Sequence, residues 1–190
     1  MGIVDIADAP LWAQDLFSRR DVAFLDTETT GLGPLDEVID IAVVDGTGRV
    51  LLNSLVRPTQ PIHPRARAVH GLADRLLAAQ PAWPEVHTKL LAALRDYSCI
   101  VMYNAPFDLR LIDQSCRRYA VAPLPSRIEA HCAMRRYAQH TGGRRRKLGD
   151  ALAAMRVRQA ESHRALADAE ACRLLVQALA LEVPATPTLL

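Results

Sequence analysis

Between residues 22 and 57 three strand-like runs follow one another with only turn-length connections, and beyond them strand-like runs alternate with helix-like ones. Val22 to Leu25 is short and apolar and stops abruptly at Asp26, which suits a buried strand better than a helix. Val38 to Val44 is a second run, interrupted by Asp40. Asp45-Gly46-Thr47-Gly48 is turn chemistry that leads into a third strand over 49–57. These runs predict an antiparallel meander whose last two strands form a hairpin. Cys99 to Met102 and Arg127 to Ala130 predict two more strands. Helices are expected over 9–19, with Asp8 as cap and Pro10 at the first helical position, and over 84–95, with Val86, Leu90, Leu91 and Leu94 on one face. Others are expected over 106–118, 132–139, 147–155 and 166–181, and short helical pieces between Pro58 and Pro84. A meander followed by strand–helix alternation implies one α/β domain on a sheet of mixed direction.

The 190 residues fit one sizeable domain, expected over 21–182, with a helical extension at 1–20 and a loose tail at 183–190. With 50% apolar and 23% charged residues, disordered and fibrous classes are excluded, and the 5% aromatic content leaves the core to Leu, Val, Ile and Ala. Cys99, Cys116, Cys132 and Cys172 are scattered without a CxxC pair, which suits reduced thiols. The acidic start lacks the basic and apolar regions of a signal peptide, and no run reaches the ~20 apolar residues of a membrane span. A cytoplasmic location without membrane contact is the expectation. The net charge of +2 conceals an asymmetry: residues 1–95 hold 9 basic and 12 acidic side chains, and residues 96–190 hold 14 and 9. Arg144-Arg145-Arg146-Lys147 is the densest basic run. It reads either as a contact for nucleic-acid phosphates or as a solvated loop.

Acidic residues are placed where strands end and helices begin. Asp26 and Glu28 follow the first apolar run, Asp108 opens the helix after the fourth strand, and Asp168 lies in the first turn of the last helix. Four carboxylates converging on one sheet edge repel unless cations lie between them, and hard divalent ions such as Mg²⁺ or Mn²⁺ take oxygen ligands. A pair of such ions roughly 3.5–4 Å apart activates water and stabilises a leaving oxygen in phosphodiester cleavage. His163, five residues before Asp168 in a segment that reads as a loop, is suited to accept the water's proton. Taken singly, each has an ordinary alternative: a turn acid, a helix-start acid, a surface histidine.

Together they match a pattern. Phe24-Leu25-Asp26-Thr27-Glu28-Thr29-Thr30-Gly31-Leu32 resembles the first motif of the DnaQ-like 3′–5′ exonucleases. Asn104-Ala105-Pro106-Phe107-Asp108 resembles the second, and His163-Arg164-Ala165-Leu166-Ala167-Asp168-Ala169 the third. Val69-His70-Gly71-Leu72 resembles another segment of that family, and the likeness runs from about Asp21 to Leu179. The resemblance implies an RNase H-like fold, a central five-stranded mixed sheet flanked by helices. It implies two divalent ions, Mg²⁺ or Mn²⁺, held by Asp26, Glu28, Asp108 and Asp168, with Asp26 bridging and His163 as general base. Thr27, Thr29, Leu32, His70 and Asn104 are then expected substrate contacts, with helix capping an equal alternative for Asn104. Phe107 is assigned to the core, and Asp36, Glu37 and Asp113 to the surface.

Three positions depart from the family pattern: Tyr103-Asn104 where His-Asn is common, Ile39-Asp40-Ile41 where Ile-Glu-Ile is common, and Ile128-Glu129-Ala130-His131 where Asp-Thr is common. None touches the five expected catalytic positions. The expected activity is hydrolysis of the 3′-terminal phosphodiester of DNA, single-stranded or frayed, releasing nucleoside 5′-monophosphates. The nucleic acid with its free 3′ end is the partner, with a polymerase or repair complex as another. The short stretch after the last helix favours a free-standing enzyme or a core trimmed from something longer. An RNA-trimming enzyme is the alternative, and a catalytically silent binding module a distant third.

Overall fold

A computed structural model describes residues 8–158 and 163–182. Residues 1–7 of the expected extension, residues 159–162 of the expected loop before His163, and the expected tail at 183–190 lie outside the described residues. In chain order the elements are α1 (Ala9–Ser18), β1 (Val22–Thr29), β2 (Val38–Asp45), β3 (Val50–Leu55), α2 (Pro64–His70), α3 (Asp74–Leu77), α4 (Trp83–Ala93), β4 (Cys99–Met102), α5 (Ala105–Arg118), β5 (Glu129–Cys132), α6 (Ala133–His140), α7 (Leu148–Ala154) and α8 (Ala165–Leu181). Five strands form one sheet in the order β3-β2-β1-β4-β5. β2 runs antiparallel to both β1 and β3, whereas β4 runs parallel to β1 and β5. The mixed sheet and the meander read from the sequence are both present.

The two-residue period of a strand sorts β1 between two cores. Ala23 and Leu25 face α4 and α5, packing with Val86, Leu90, Ile112 and Cys116. Val22 and Phe24 face α1 and α8, packing with Trp12, Leu16, Leu175, Val176 and Leu179. Each Leu or Val so buried contributes roughly 1.5–3 kcal/mol relative to exposure. Helix α1, expected as an extension, belongs to this second core: Trp12 and Ala13 are buried, and Trp12 Nε1 donates to His131 Nδ1 at 3.1 Å. Asp8 caps α1 by accepting from the Leu11 N–H at 3.1 Å. The four cysteines are free and buried.

Strand β1 is longer than its apolar run. Pairing with β2 continues from Ala23↔Asp45 to Glu28↔Asp40, so Asp26 and Glu28 lie within the strand rather than after it. Backbone hydrogen bonds to β2 hold this polar stretch extended, and hydrophobicity alone does not report such pairing. By the same alternation Asp26 and Glu28 follow Val22 and Phe24 onto the α8 side, and Thr27 follows Leu25 onto the α5 side.

Candidate active site

The carboxyl ends of β1 and β4 are the place where the chain leaves the sheet in opposite directions, to β2 from β1 and to α5 from β4. Crevices at such switch points are the usual ligand sites of open α/β sheets. A cavity of about 480 Å³ opens there, and Asp26, Thr27, Glu28, Asn104, Asp108, His163 and Asp168 all line it.

Carboxylate oxygens of Asp26, Glu28 and Asp168 lie within 4.8 Å of one another. The first two come from one face of β1, and the third from the first turn of α8, which crosses that face. Asp108, in the first turn of α5, is 3% exposed and approaches from the other side, where Thr27 Oγ1 donates to its Oδ1 at 2.7 Å. Such concentrated negative charge suppresses ionisation. Burial, then Asp108, Asp168 and Glu28, push the Asp26 carboxyl well above the usual carboxylate range. Burial and then Asp168 and Asp40 push Glu28 up to about 8. Burial pushes Asp108 up to about 7, against the Thr27 hydrogen bond. Hard oxygen donors this close, unable to ionise together by themselves, fit a divalent cation.

His163 has φ of +71°, in the left-handed region, and its N–H donates to Asp168 Oδ2 at 3.1 Å. Left-handed backbone is uncommon outside glycine, although histidine is among the residues enriched there. The bond ties His163 to the acidic cluster while its side chain stays exposed on the cavity wall.

The remaining expected contacts are spread differently. Thr27 lines the cavity, but its hydroxyl is engaged with Asp108. Thr29 is buried and donates to the Gly31 carbonyl at 2.8 Å. Leu32 is 77% exposed in the loop after β1, outside the cavity wall. His70 is buried with Nδ1 accepting from the Leu72 N–H at 3.0 Å, and its neighbour Val69 lines the cavity instead. Asn104 precedes α5 without capping it through its side chain. Phe107, expected in the core, is partly buried and lines the cavity, because its position one turn into α5 faces the β1–β4 crevice. Glu37, expected on the surface, is 2% exposed: Oε1 accepts from the Thr59 N–H at 2.9 Å and from Thr59 Oγ1 at 2.7 Å.

Sequence reasoning gave Tyr103, Asp150 and Asp40 no role in the site, and named Lys147 only as part of the basic run. Tyr103, Lys147 and Asp150 also line the cavity. Asp40, fully buried opposite Glu28, accepts from Arg164 Nε at 2.8 Å. Asp40 was legible as a polar interruption of an apolar strand and as a departure from the family pattern, and neither reading announces its pairing with Arg164.

A five-stranded mixed sheet carrying clustered acids at the end of its central strand is the architecture of an RNase H-like nuclease. An exonuclease family model matches residues 23–175. Over 186 residues the chain is 37% identical to the uncharacterized exonuclease CP81 of Escherichia phage 186, covering 90% of this chain and 92% of that protein. Over 104 residues it is 30% identical to the DNA polymerase III subunit epsilon of Pasteurella multocida (strain Pm70), covering 50% of this chain and 41% of that protein. Among solved structures, exonuclease X in complex with 5′ overhanging duplex DNA superimposes with a TM-score of 0.65 at 25% identity, covering 85% of this chain and 92% of that one. The chain belongs to the exonuclease family, in its DnaQ-like 3′–5′ branch. No helix among the described residues is long and apolar enough to cross a membrane.

Proposed function

We propose that the protein removes nucleotides from the 3′ end of DNA, single-stranded or frayed, and releases nucleoside 5′-monophosphates with two divalent ions, Mg²⁺ or Mn²⁺. The observation that carries this reading is the 4.8 Å cluster of Asp26, Glu28 and Asp168 oxygens on the wall of the cavity. Asp26, on the central strand and within 4.8 Å of the Glu28 and Asp168 oxygens, would be shared between the ions. Glu28, Asp168 and Asp108 would supply further oxygen ligands. Bound divalent ions supply an activated water and stabilise the departing oxygen.

The chain's own residues do the rest. Thr27 orients the Asp108 carboxylate through the 2.7 Å hydrogen bond. His163, anchored to Asp168 by its backbone, takes the proton of the attacking water. Lys147, on the cavity wall, offers a cation to the phosphate as charge builds on it. Val69, Phe107 and Asn104 line the space for the terminal nucleotide. The likeness to an epsilon subunit supports a polymerase or repair complex as partner, and this chain spans 41% of that relative's length.

The test uses matched single-stranded DNA and RNA labelled at the 5′ end, with Mn²⁺ or EDTA. A metal-dependent ladder shortening DNA from its 3′ end is expected. Faster shortening of RNA assigns the enzyme to RNA, and no cleavage of either polymer overturns the reading.

A further inference from the structure

We propose that Arg144, Arg145 and Arg146, with Lys147 at the junction, form a second nucleic-acid site that holds the phosphodiester backbone upstream of the cleaved end, and that Tyr103 positions it. The inference rests on the catalytic reading of the neighbouring cavity. All four cations are exposed, and none forms an ion pair among the described residues. They border a groove of about 610 Å³ that Ala153 and Ala154 also line. Lys147 and Asp150 line both this groove and the catalytic cavity, so the two spaces adjoin. Asp150 is the one acid in the groove wall.

Four adjacent like charges repel one another and ordinarily sample many arrangements in solvent. This run is held. Gly142 and Gly143, at φ of +87° and +91°, turn the chain sharply after α6, and α7 begins at Leu148. Between them the buried Tyr103 donates its hydroxyl to the Arg146 carbonyl at 2.6 Å. The Tyr103 carbonyl is itself fixed, accepting from the Met134 N–H at 2.9 Å. A residue on the cavity wall therefore grips the middle of the basic run. A polymer whose end enters the cavity must leave past its rim, and a fixed strip of unpaired cations there attracts its phosphates without reading sequence.

The experiment compares the whole chain in Mn²⁺ on two substrates: a long single-stranded DNA and the p-nitrophenyl ester of thymidine 5′-monophosphate, which has no upstream strand. The Arg144→Ala/Arg145→Ala/Arg146→Ala variant is expected to lower the ratio of kcat/KM for the long strand to that for the ester, through KM, by on the order of 10-fold at low salt. The slope of log KM against log salt should become shallower by about 2, at ~0.7 per phosphate contact of a single strand. Tyr103→Phe, which removes only the hydroxyl, is expected to lower the ratio roughly 2–5-fold. An unchanged ratio and slope in the triple variant, with both substrates still cleaved, overturns the second site. A ratio lowered by the triple variant and untouched by Tyr103→Phe overturns the positioning role. Failure of the unaltered protein to cleave either substrate overturns the catalytic reading instead.

Discussion

Arg164 Nε donates to Asp40 Oδ2 at 2.8 Å, and the Ala165 N–H reaches the same oxygen at 3.4 Å. Asp40 lies directly opposite Glu28 in the β1–β2 register, so a further buried carboxylate abuts a site already dense in anions. Arg164 offsets that charge. It also fixes the residue between His163 and the start of α8, and through it the approach of Asp168 to Asp26 and Glu28.

Arg164→Ala leaves Asp40 buried without its cation. Because Arg164 is about half exposed, solvent screens the pair, and the expected loss is about 1–2 kcal/mol rather than the ~3–5 of a fully buried pair. Displacement of His163 and Asp168 should also lower kcat on the order of 10-fold. Asp40→Asn keeps an acceptor and removes the charge, so it should destabilise less. Urea denaturation of both variants makes the comparison, and an Arg164→Ala protein more stable than Asp40→Asn contradicts this account.

The crowded carboxylates make the metal-free protein sensitive to base. Glu28, pushed up to about 8 by burial and by Asp168, keeps its proton when folded, whereas the unfolded chain releases it near 4.5. The folded state thus binds more protons across this window, and the contribution of Glu28 to stability falls as pH rises from 4.5 to about 8. Buried His70, His87 and His131, with pKa values lowered mainly by burial, work the other way, contributing stability above 6.5 that is lost on acidification. The difference in Tm between wild type and Glu28→Gln, measured in EDTA across this range, isolates the carboxylate. The variant should gain on the wild type as pH rises, and saturating Mn²⁺ should reverse the order. A wild type that gains on the variant with rising pH in EDTA contradicts this account.

Thr27→Val removes the hydroxyl that holds Asp108 Oδ1 at 2.7 Å while keeping the shape of the side chain. Groups that orient a metal ligand typically contribute 10–100-fold in metal affinity or activity. The Mn²⁺ concentration for half-maximal cleavage should rise by about 10-fold. An unaltered Mn²⁺ dependence would show that Asp108 is positioned without Thr27.

Much of the fold is written in local pattern. Val22 to Leu25 and Cys99 to Met102 announce their strands, and Asp8 with Pro10 announces α1. The end of β1 is not visible this way, because Asp26 and Glu28 are held extended by pairing with β2 rather than by their own hydrophobicity. Asp26, Glu28, Asp108, His163 and Asp168 stand out through their resemblance to three family motifs rather than through spacing, which leaves each an ordinary alternative, and all five line the cavity. Tyr103 and Arg164 contribute through partners distant in the chain, Arg146 and Asp40, and one-dimensional pattern carries no trace of such pairings. Glu37 misleads for the same reason: its burial depends on Thr59 arriving from another segment.

His163→Ala should lower kcat by roughly 10²–10⁴-fold if His163 takes the proton, with little effect on Mn²⁺ binding, since the N–H that meets Asp168 Oδ2 belongs to the backbone. Cleavage rates at saturating Mn²⁺ provide the check. A loss smaller than about ten-fold assigns proton transfer to another group.

The most direct measurement is a calorimetric Mn²⁺ titration of the wild type and Asp26→Asn, paired with cleavage of 5′-labelled DNA by the same preparations. Two bound ions and a 3′-shortened ladder are predicted for the wild type, with both the bridged binding and the ladder lost in the variant. Full cleavage by Asp26→Asn, or a wild type that cleaves DNA in EDTA, contradicts the central claim that the Asp26, Glu28 and Asp168 cluster carries the reaction.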